Sequence, residues 1–321
     1  MDNNLQTDAI FLDFAKAFDN VPHNHLIRKL TSLGIPLNLL SWIKHFLTGS
    51  MQFTSANNCQ SAFAKVTSGV PQGAGLSPLL FLIYINDLPA NIKSNIRLFA
   101  DDCVIYTVIN SPADANKLQR DLDSIASWCN KWLMPLNIDN CKSLSFTRKR
   151  AILANIYSIN AVPIASVSCY KYLGVHLTSS LSWITHIDSI CSTASRTLGY
   201  LRRNLKCASS DVKKLAFITF VRPKLEYASA IWHPSQAYLT TKLESIQNRA
   251  ARFITSQYSH KTSVTELKHS LSLPTFESLR LITPFMPSAP LLLLPTLKTS
   301  VSPICSQNFI AYKSQHGPLH A

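Results

Sequence analysis

No run in this chain reaches the ~18 consecutive apolar residues that a membrane-spanning helix needs. Its opening, "MDNNLQTDAI", lacks both the basic start and the apolar core of a secretory signal. These two absences give the expectation of an intracellular protein with no membrane partner. Eight cysteines stand at 59, 103, 129, 141, 169, 191, 207 and 305, with no Cys-x-x-Cys pair and no close Cys/His cluster. Such scatter argues against a zinc site and against a disulfide framework. Acidic residues are few: 17 Asp and Glu against 31 Lys and Arg, a formal net charge of +14. That imbalance suits a polyanionic partner, nucleic acid before an acidic membrane surface. Glycine is scarcer still, with only 8 in 321 residues, yet Gly69, Gly73 and Gly75 all fall within "SGVPQGAG". The concentration marks a stretch of special backbone.

What is present reads as a globular chain, 46% hydrophobic and 15% charged, large enough for one large domain or two ordinary ones. "AIFLD" is an apolar strand that delivers Asp13, and "HLIRKLTSLGIP" comes next with Leu26, Leu30 and Leu33 at helical spacing before Gly34 and Pro36 stop it. "LNLLSWIKHFLTG" is a second helix, closed by Gly49. Ser77 and Pro78 offer an N-cap and a first-turn proline to the apolar helix "LLFLIYINDL", whose all-round hydrophobicity predicts burial. Ser111, Pro112 and Asp114 open a further helix, and "KSLSFT" and "KYLGVHL" read as short strands. The order predicts an α+β fold, with helices over one face of a largely antiparallel sheet. From about residue 186 the pattern turns helical and basic: residues 189–261 carry twelve Lys or Arg against Asp211, Glu226 and Glu244. This stretch reads either as a wall for phosphates or as a solvated charged face. Residues 281–321 hold six prolines, two lysines and no acid, and read as an irregular tail.

The run "RLFADDCVIY" places Asp101 and Asp102 between strand-forming flanks, which makes them the tip of a hairpin. Alone, an Asp-Asp pair also reads as a plain solvated turn. The sharper reading needs a partner, and Asp13 supplies one 88 residues upstream. If the two strands are neighbours, three carboxylates converge. Divalent cations relieve the repulsion in such a cluster, and the reaction class they serve there is nucleotidyl transfer.

Five segments, in order, carry a resemblance: "FLDFAKAFDNVPH", "SGVPQGAGLSPLLFLIYINDLP", "LFADDCVIY", "LNIDNCKSLSF" and "YKYLGVHL". Together they resemble motifs A to E of a reverse transcriptase palm, with the nearest likeness to non-LTR (LINE-type) retrotransposons of the jockey-like kind. The likeness runs from about residue 9 to 178, and "KLEYASAIWHP" and "LESIQNRAARFI" resemble the region downstream of the palm in those elements. The resemblance implies a right-hand polymerase palm at 1–185 with the fingers missing, a basic helical thumb-like region at 186–280, and the tail at 281–321. It implies RNA-directed DNA synthesis on an RNA template from a DNA primer, with deoxynucleoside triphosphates as substrates. The implied cofactor is a pair of Mg²⁺ ions, with Mn²⁺ as the alternative ion. The second reading is a catalytically inactive nucleic-acid-binding remnant of such an element.

Residue by residue, the resemblance makes Asp13, Asp101 and Asp102 the metal ligands, with the Phe14 carbonyl as a backbone ligand. Phe18 takes the aromatic position that crowds a ribose 2′-hydroxyl, though it also reads as a core phenylalanine. Asp19 reads as a turn cap. Gln72 and Gly73 would contact the incoming nucleotide, unless Pro-Gln-Gly is simply a turn before a helix. Gly69 and Gly75 would let the backbone approach template and primer. Lys142 would neutralise or protonate departing pyrophosphate, and it also reads as a solvated surface lysine. Leu173 and Gly174 match the turn that grips the primer end, where a plain strand residue would serve Leu173 almost as well. Phe99 stands where many members have tyrosine. Twelve residues precede Asp13, so the fingers, and with them an upstream endonuclease segment, are expected to lie outside this N-terminally truncated chain. No Lys/Arg cluster makes a convincing nuclear signal, which leaves nucleus and cytoplasm both open.

Overall fold

An unbroken apolar run from Ala9 to Leu12 can be buried on both faces, and it forms the centre of the sheet. A computed structural model of the chain describes residues 5–149, 152–232, 234, 236–259 and 261–276. The tail expected at 281–321 lies outside the described residues.

The first half runs β1 (Gln6–Leu12), α1 (His23–Ser32) and α2 (Leu37–Leu47), then an exposed arm of four two-residue strands, β2 (Met51–Gln52), β3 (Ser55–Ala56), β4 (Cys59–Gln60) and β5 (Ala64–Lys65). It continues with α3 (Ser77–Ile85), a 3₁₀ turn at Leu88–Asn91, β6 (Asn95–Phe99), β7 (Asp102–Ile109), α4 (Pro112–Trp132) and β8 (Lys142–Phe146). Short strands come next: β9 (Ser158–Ile159), β10 (Val162–Pro163), β11 (Ala165–Ser166), β12 (Cys169–Tyr172) and β13 (Val175–Thr178). The remainder is helical: α5 (Ile184–Asn204), α6 (Ser210–Ala216), a π turn at Phe217–Val221, α7 (Arg222–Glu226), α8 (Ala237–Thr255) and α9 (Val264–Ser270). Among the described residues no helix is long and apolar enough to cross a membrane.

The main sheet has the order β11-β8-β1-β7-β6, antiparallel throughout except where β11 meets β8. Its two faces belong to two cores. Ile10, Leu12, Cys103 and Ile105 point into a core with α1, α3 and α4, which includes Leu26, Phe81, Leu118 and Ile125. Ala9, Phe11, Val104, Tyr106 and Leu144 point the other way, into a core shared with the β12–β13 hairpin and α5 to α9. Both faces are therefore covered, where the sequence predicted helices over one. The second cover comes from the C-terminal helices, whose apolar stripes need an apolar surface to bury.

Local signals behave unevenly. Ser111 and Asp114 form the predicted capping box of α4. Ser77 does not cap α3: it is the helix's first residue, Leu76 is the cap, and the Ser77 hydroxyl donates to the Pro71 carbonyl instead. The predicted strand "KYLGVHL" is a hairpin, with Leu173 and Gly174 as its two-residue turn. Lys29 ties α1 to the helices beneath the sheet. Its ammonium lies 3.8 Å from the Trp132 ring centroid and 4.7 Å from those of Tyr84 and Trp128, and it pairs with Asp87.

Candidate active site

The pairing of β1 with β7 decides which carboxylates meet. Its last pair is Leu12 with Cys103, so one further step sets Asp13 opposite Asp102, at the open end of the two central strands. The β6–β7 hairpin closes through Phe99 opposite Asp102, which leaves Ala100 (φ +51°) and Asp101 as the turn. Asp101 is thus at the tip, and Asp102 begins a strand.

Each carboxylate has a distinct surrounding. Asp13 is half-buried, and its Oδ2 accepts a hydrogen bond from Asn140 Nδ2 at 2.9 Å, while its own N–H donates to the Sγ of buried Cys141 at 3.5 Å. Asp101 and Asp102 are exposed and, among the described residues, accept no hydrogen bond and form no ion pair. Partial burial, followed by the charges of Asp101 and Asp13, raises the Asp102 carboxyl above the usual carboxylate range. Elsewhere in the fold carboxylates are treated differently. Buried Asp8 accepts from Gln6, Asn155 and Tyr157, and buried Asp121 accepts from the N–H groups of Lys93 and Ser94. Structural carboxylates here are supplied with donors, and the pair at the β6–β7 tip is not.

A hard divalent cation fits this donor set, because oxygen ligands of like charge are what Mg²⁺ and Mn²⁺ take. Among the described residues, however, no group of three or more His, Cys, Asp or Glu side chains stands close enough to hold an ion as they are. Asp13 and Asp102 face one another, and Asp101 sits one residue outside that pair. Successive residues of a strand point to opposite faces, and three like charges repel, so a ready-made cage does not form.

The remaining predicted residues fall in three places. Lys142 opens β8 opposite Phe11, on the sheet face that also carries Asp13 and Asp102, and its ammonium donates to the Asp139 carbonyl. Phe14 is buried and bridges Leu136. Phe18 is half-buried with its ring stacked on Phe81, centroids 4.6 Å apart. The segments 18–22 and 68–72 are stitched together: Val70 N–H donates to Phe18 O, Gly69 N–H to Val21 O, and the Ser68 hydroxyl to Asp19 O. Gln72 Nε2 donates to Asp19 Oδ1 at 2.9 Å, so Asp19 joins the two loops rather than only capping its own turn. Gly69 has φ +90°, and a Cβ there would lie 2.8 Å from the Asp19 carbonyl oxygen, so its close approach is to the chain itself. Gly73 has φ +84° and open space around it, whereas nothing in the structure requires glycine at 75. Leu173 and Gly174 form the β12–β13 turn.

Two residues at the site went unread in the sequence. Asn140 orients Asp13, but a single asparagine in a loop carries no signal of it. Tyr170 stacks on Phe11 with centroids 4.3 Å apart, and burial, then Asp102 and Asp13, raise its hydroxyl pKa, which places it beside the carboxylates. Only the packing of the hairpin against the sheet shows it.

Residues 2–177 match the family model described as reverse transcriptase (RNA-dependent DNA polymerase). The chain is 30% identical over 258 residues to the RNA-directed DNA polymerase from mobile element jockey of Drosophila funebris, covering 77% of this chain and 28% of that protein. It is 28% identical to the probable RNA-directed DNA polymerase from transposon X-element of Drosophila melanogaster, covering 79% of this chain and 29% of that one. It is also 28% identical to its counterpart from transposon BS, covering 86% and 32%. The chain thus spans about a third of the length of the curated relatives it matches. Among solved structures, apo telomerase from Candida tropicalis aligns at a TM-score of 0.45 and 11% identity, over 86% of this chain and 47% of that one. With the family model covering more than half of its length, the chain belongs to the reverse transcriptase (RNA-dependent DNA polymerase) family.

Proposed function

We propose that this chain is the palm and thumb-like part of an RNA-directed DNA polymerase of a non-LTR retrotransposon, the palm at 1–185 and the thumb-like region at 186–280. The observation that carries the proposal is the set of Asp13, Asp101 and Asp102 at one end of the central strands, with the last two lacking a donor among the described residues. An RNA template, a DNA primer and deoxynucleoside triphosphates are the partners this reading assigns. The chemistry that two Mg²⁺ ions, or Mn²⁺ in their place, supply when bound is activation of a 3′-hydroxyl and neutralisation of the leaving pyrophosphate. Asp13, Asp101 and Asp102 would hold them, with the Phe14 carbonyl beside Asp13. Asn140 keeps Asp13 oriented through the hydrogen bond to Oδ2.

The chain's own groups serve the rest. Phe18, fixed by its stack on Phe81, would crowd a ribose 2′-hydroxyl. Gln72 and Gly73 would meet the incoming nucleotide, and Gly69 and Gly75 would flank template and primer. Lys142, on the carboxylate face of the sheet, would release Asp139 and donate a proton or charge to pyrophosphate. Leu173 and Gly174 would present the turn that seats the primer end.

The test is primer extension on an RNA template with and without Mg²⁺, comparing the chain with Asp101→Asn. Extension by the chain, and its loss by more than about 100-fold in the variant, is expected, since even residues that merely orient metal ligands cost 10–100-fold. Extension unaffected by the substitution would refute the assignment. Absence of extension by the folded chain, with binding to nucleic acid retained, would favour the inactive remnant.

A further inference from the structure

The turn between β12 and β13 has a conformation its residues do not favour. Leu173 has φ +45° and Gly174 φ +81°, the pattern of a two-residue hairpin turn that Asn-Gly adopts readily. A leucine at positive φ is a genuine outlier, and such strain persists only where the surroundings over-determine it. The surroundings come from "KLEYASAIWHP", the segment that otherwise has no part in the site.

The Tyr227 hydroxyl donates to the Leu173 carbonyl at 3.0 Å. Its ring covers Gly174 so closely that a Cβ there would lie 3.0 Å from Cε1. The Tyr227 carbonyl in turn accepts the indole N–H of Trp232 at 2.9 Å, and Trp232 is fully buried. The Trp232 ring packs on His186, centroids 4.9 Å apart, and His186 Nδ1 accepts the backbone N–H of His176 in β13 at 3.3 Å. Turn, Tyr227, Trp232, His186 and β13 thus form a closed circuit. The segment can reach back because α7 ends at Glu226 and Ala228 takes φ +56°. The other end of the hairpin is pinned by Tyr170 on Phe11, beside Asp13 and Asp102.

We propose that Tyr227 is a positioning residue: with Trp232 it forms a strut from the helical region that fixes the Leu173–Gly174 turn relative to the carboxylates. Its role in catalysis rests on the proposed polymerase function, in which this turn seats a primer end. Tyr227 is itself 54% exposed, so its hydroxyl has little to do for the stability of the core.

Tyr227→Phe keeps the ring and removes the hydrogen bond. Amide hydrogen exchange at residues 173–175 of the full chain is expected to quicken by about threefold to tenfold, the worth of one such bond. In primer extension the KM for primer–template should rise by a similar factor, with the KM for the nucleotide unchanged and the melting temperature lowered by no more than the few degrees that one such bond is worth. Tyr238→Phe, another exposed tyrosine, whose hydroxyl makes no hydrogen bond among the described residues, should leave all four readings alone. Unchanged exchange at the turn would overturn the strut. A larger fall in melting temperature with both KM values rising together would also overturn it, by making Tyr227 a general structural residue. Should the wild-type chain extend no primer, the proposed polymerase activity fails, and the exchange experiment alone still decides the strut.

Discussion

Asp102 is a carboxylate that the fold makes worse off. Burial, then the charges of Asp101 and Asp13, raise its pKa, so the folded chain holds that proton more tightly than the unfolded chain does. The ion-free protein therefore gains stability from this group as pH falls through the raised pKa, and lacks that gain at neutral pH, where the group is ionised. Asp102→Asn should then raise the melting temperature at pH 7 without divalent ions, and it should reduce the further rise that Mg²⁺ produces in the wild-type chain. Calorimetry in EDTA and in Mg²⁺ measures both, and a lower melting temperature for the variant in EDTA would refute the account. The same electrostatic cost made the site legible. Two adjacent acids between strand-forming runs read alone as a solvated turn, and it was Asp13 at the end of another apolar strand that gave them the sharper reading. Asn140 and Tyr170 carry no such cost and were invisible until the strands were paired.

The β12–β13 hairpin and α5 meet through His186, which is 1% exposed. Burial, then His176 and Lys171, push its imidazole down to about 4. A folded pKa below the unfolded value means that the unfolded chain takes up the proton first as pH falls. Stability from this group is full above about pH 6.5 and is lost between there and about pH 4, by about 2 to 3 kcal/mol. The groups facing it are His176, itself lowered by burial and Lys171, and Lys171, so no acid opposes the loss. Denaturant melts at pH 7 and pH 4.5 should show that drop, and His186→Phe should shrink it; an equal drop in the variant would assign it to other groups. At this scale legibility followed local chemistry. The Ser111–Asp114 capping box announced α4, and Gly34 and Gly49 marked the ends of α1 and α2. The turn at Leu173 and Gly174 came from the family resemblance and not from local chemistry, since leucine stands in a place that favours asparagine, and the β2–β5 arm was hidden by the absence of any alternating apolar pattern.

Over the whole molecule, β1 is a shared wall. Ile10 and Leu12 serve one core, and Ala9 and Phe11 serve the other. The change in composition near residue 186 is real in sequence, yet the helices beyond it are the cover for one face of the sheet. A boundary there can divide functions without dividing folding units. A fragment ending at residue 180 would leave Phe11, Val104, Tyr106 and Leu144 facing water on that side, held only by the β12–β13 hairpin. With a buried apolar side chain worth about 1.5–3 kcal/mol, uncovering these four removes an energy comparable to the ~5–15 kcal/mol by which domains are stable. The fragment should aggregate or bind a hydrophobic dye, and it should lack a cooperative denaturant transition. The full chain should unfold in a single transition that Ile10→Ala and Phe11→Ala both shift to lower denaturant. Cooperative unfolding of the fragment at the full chain's midpoint would show instead that the first core suffices, and that the helical region is a separable domain resting on a finished palm.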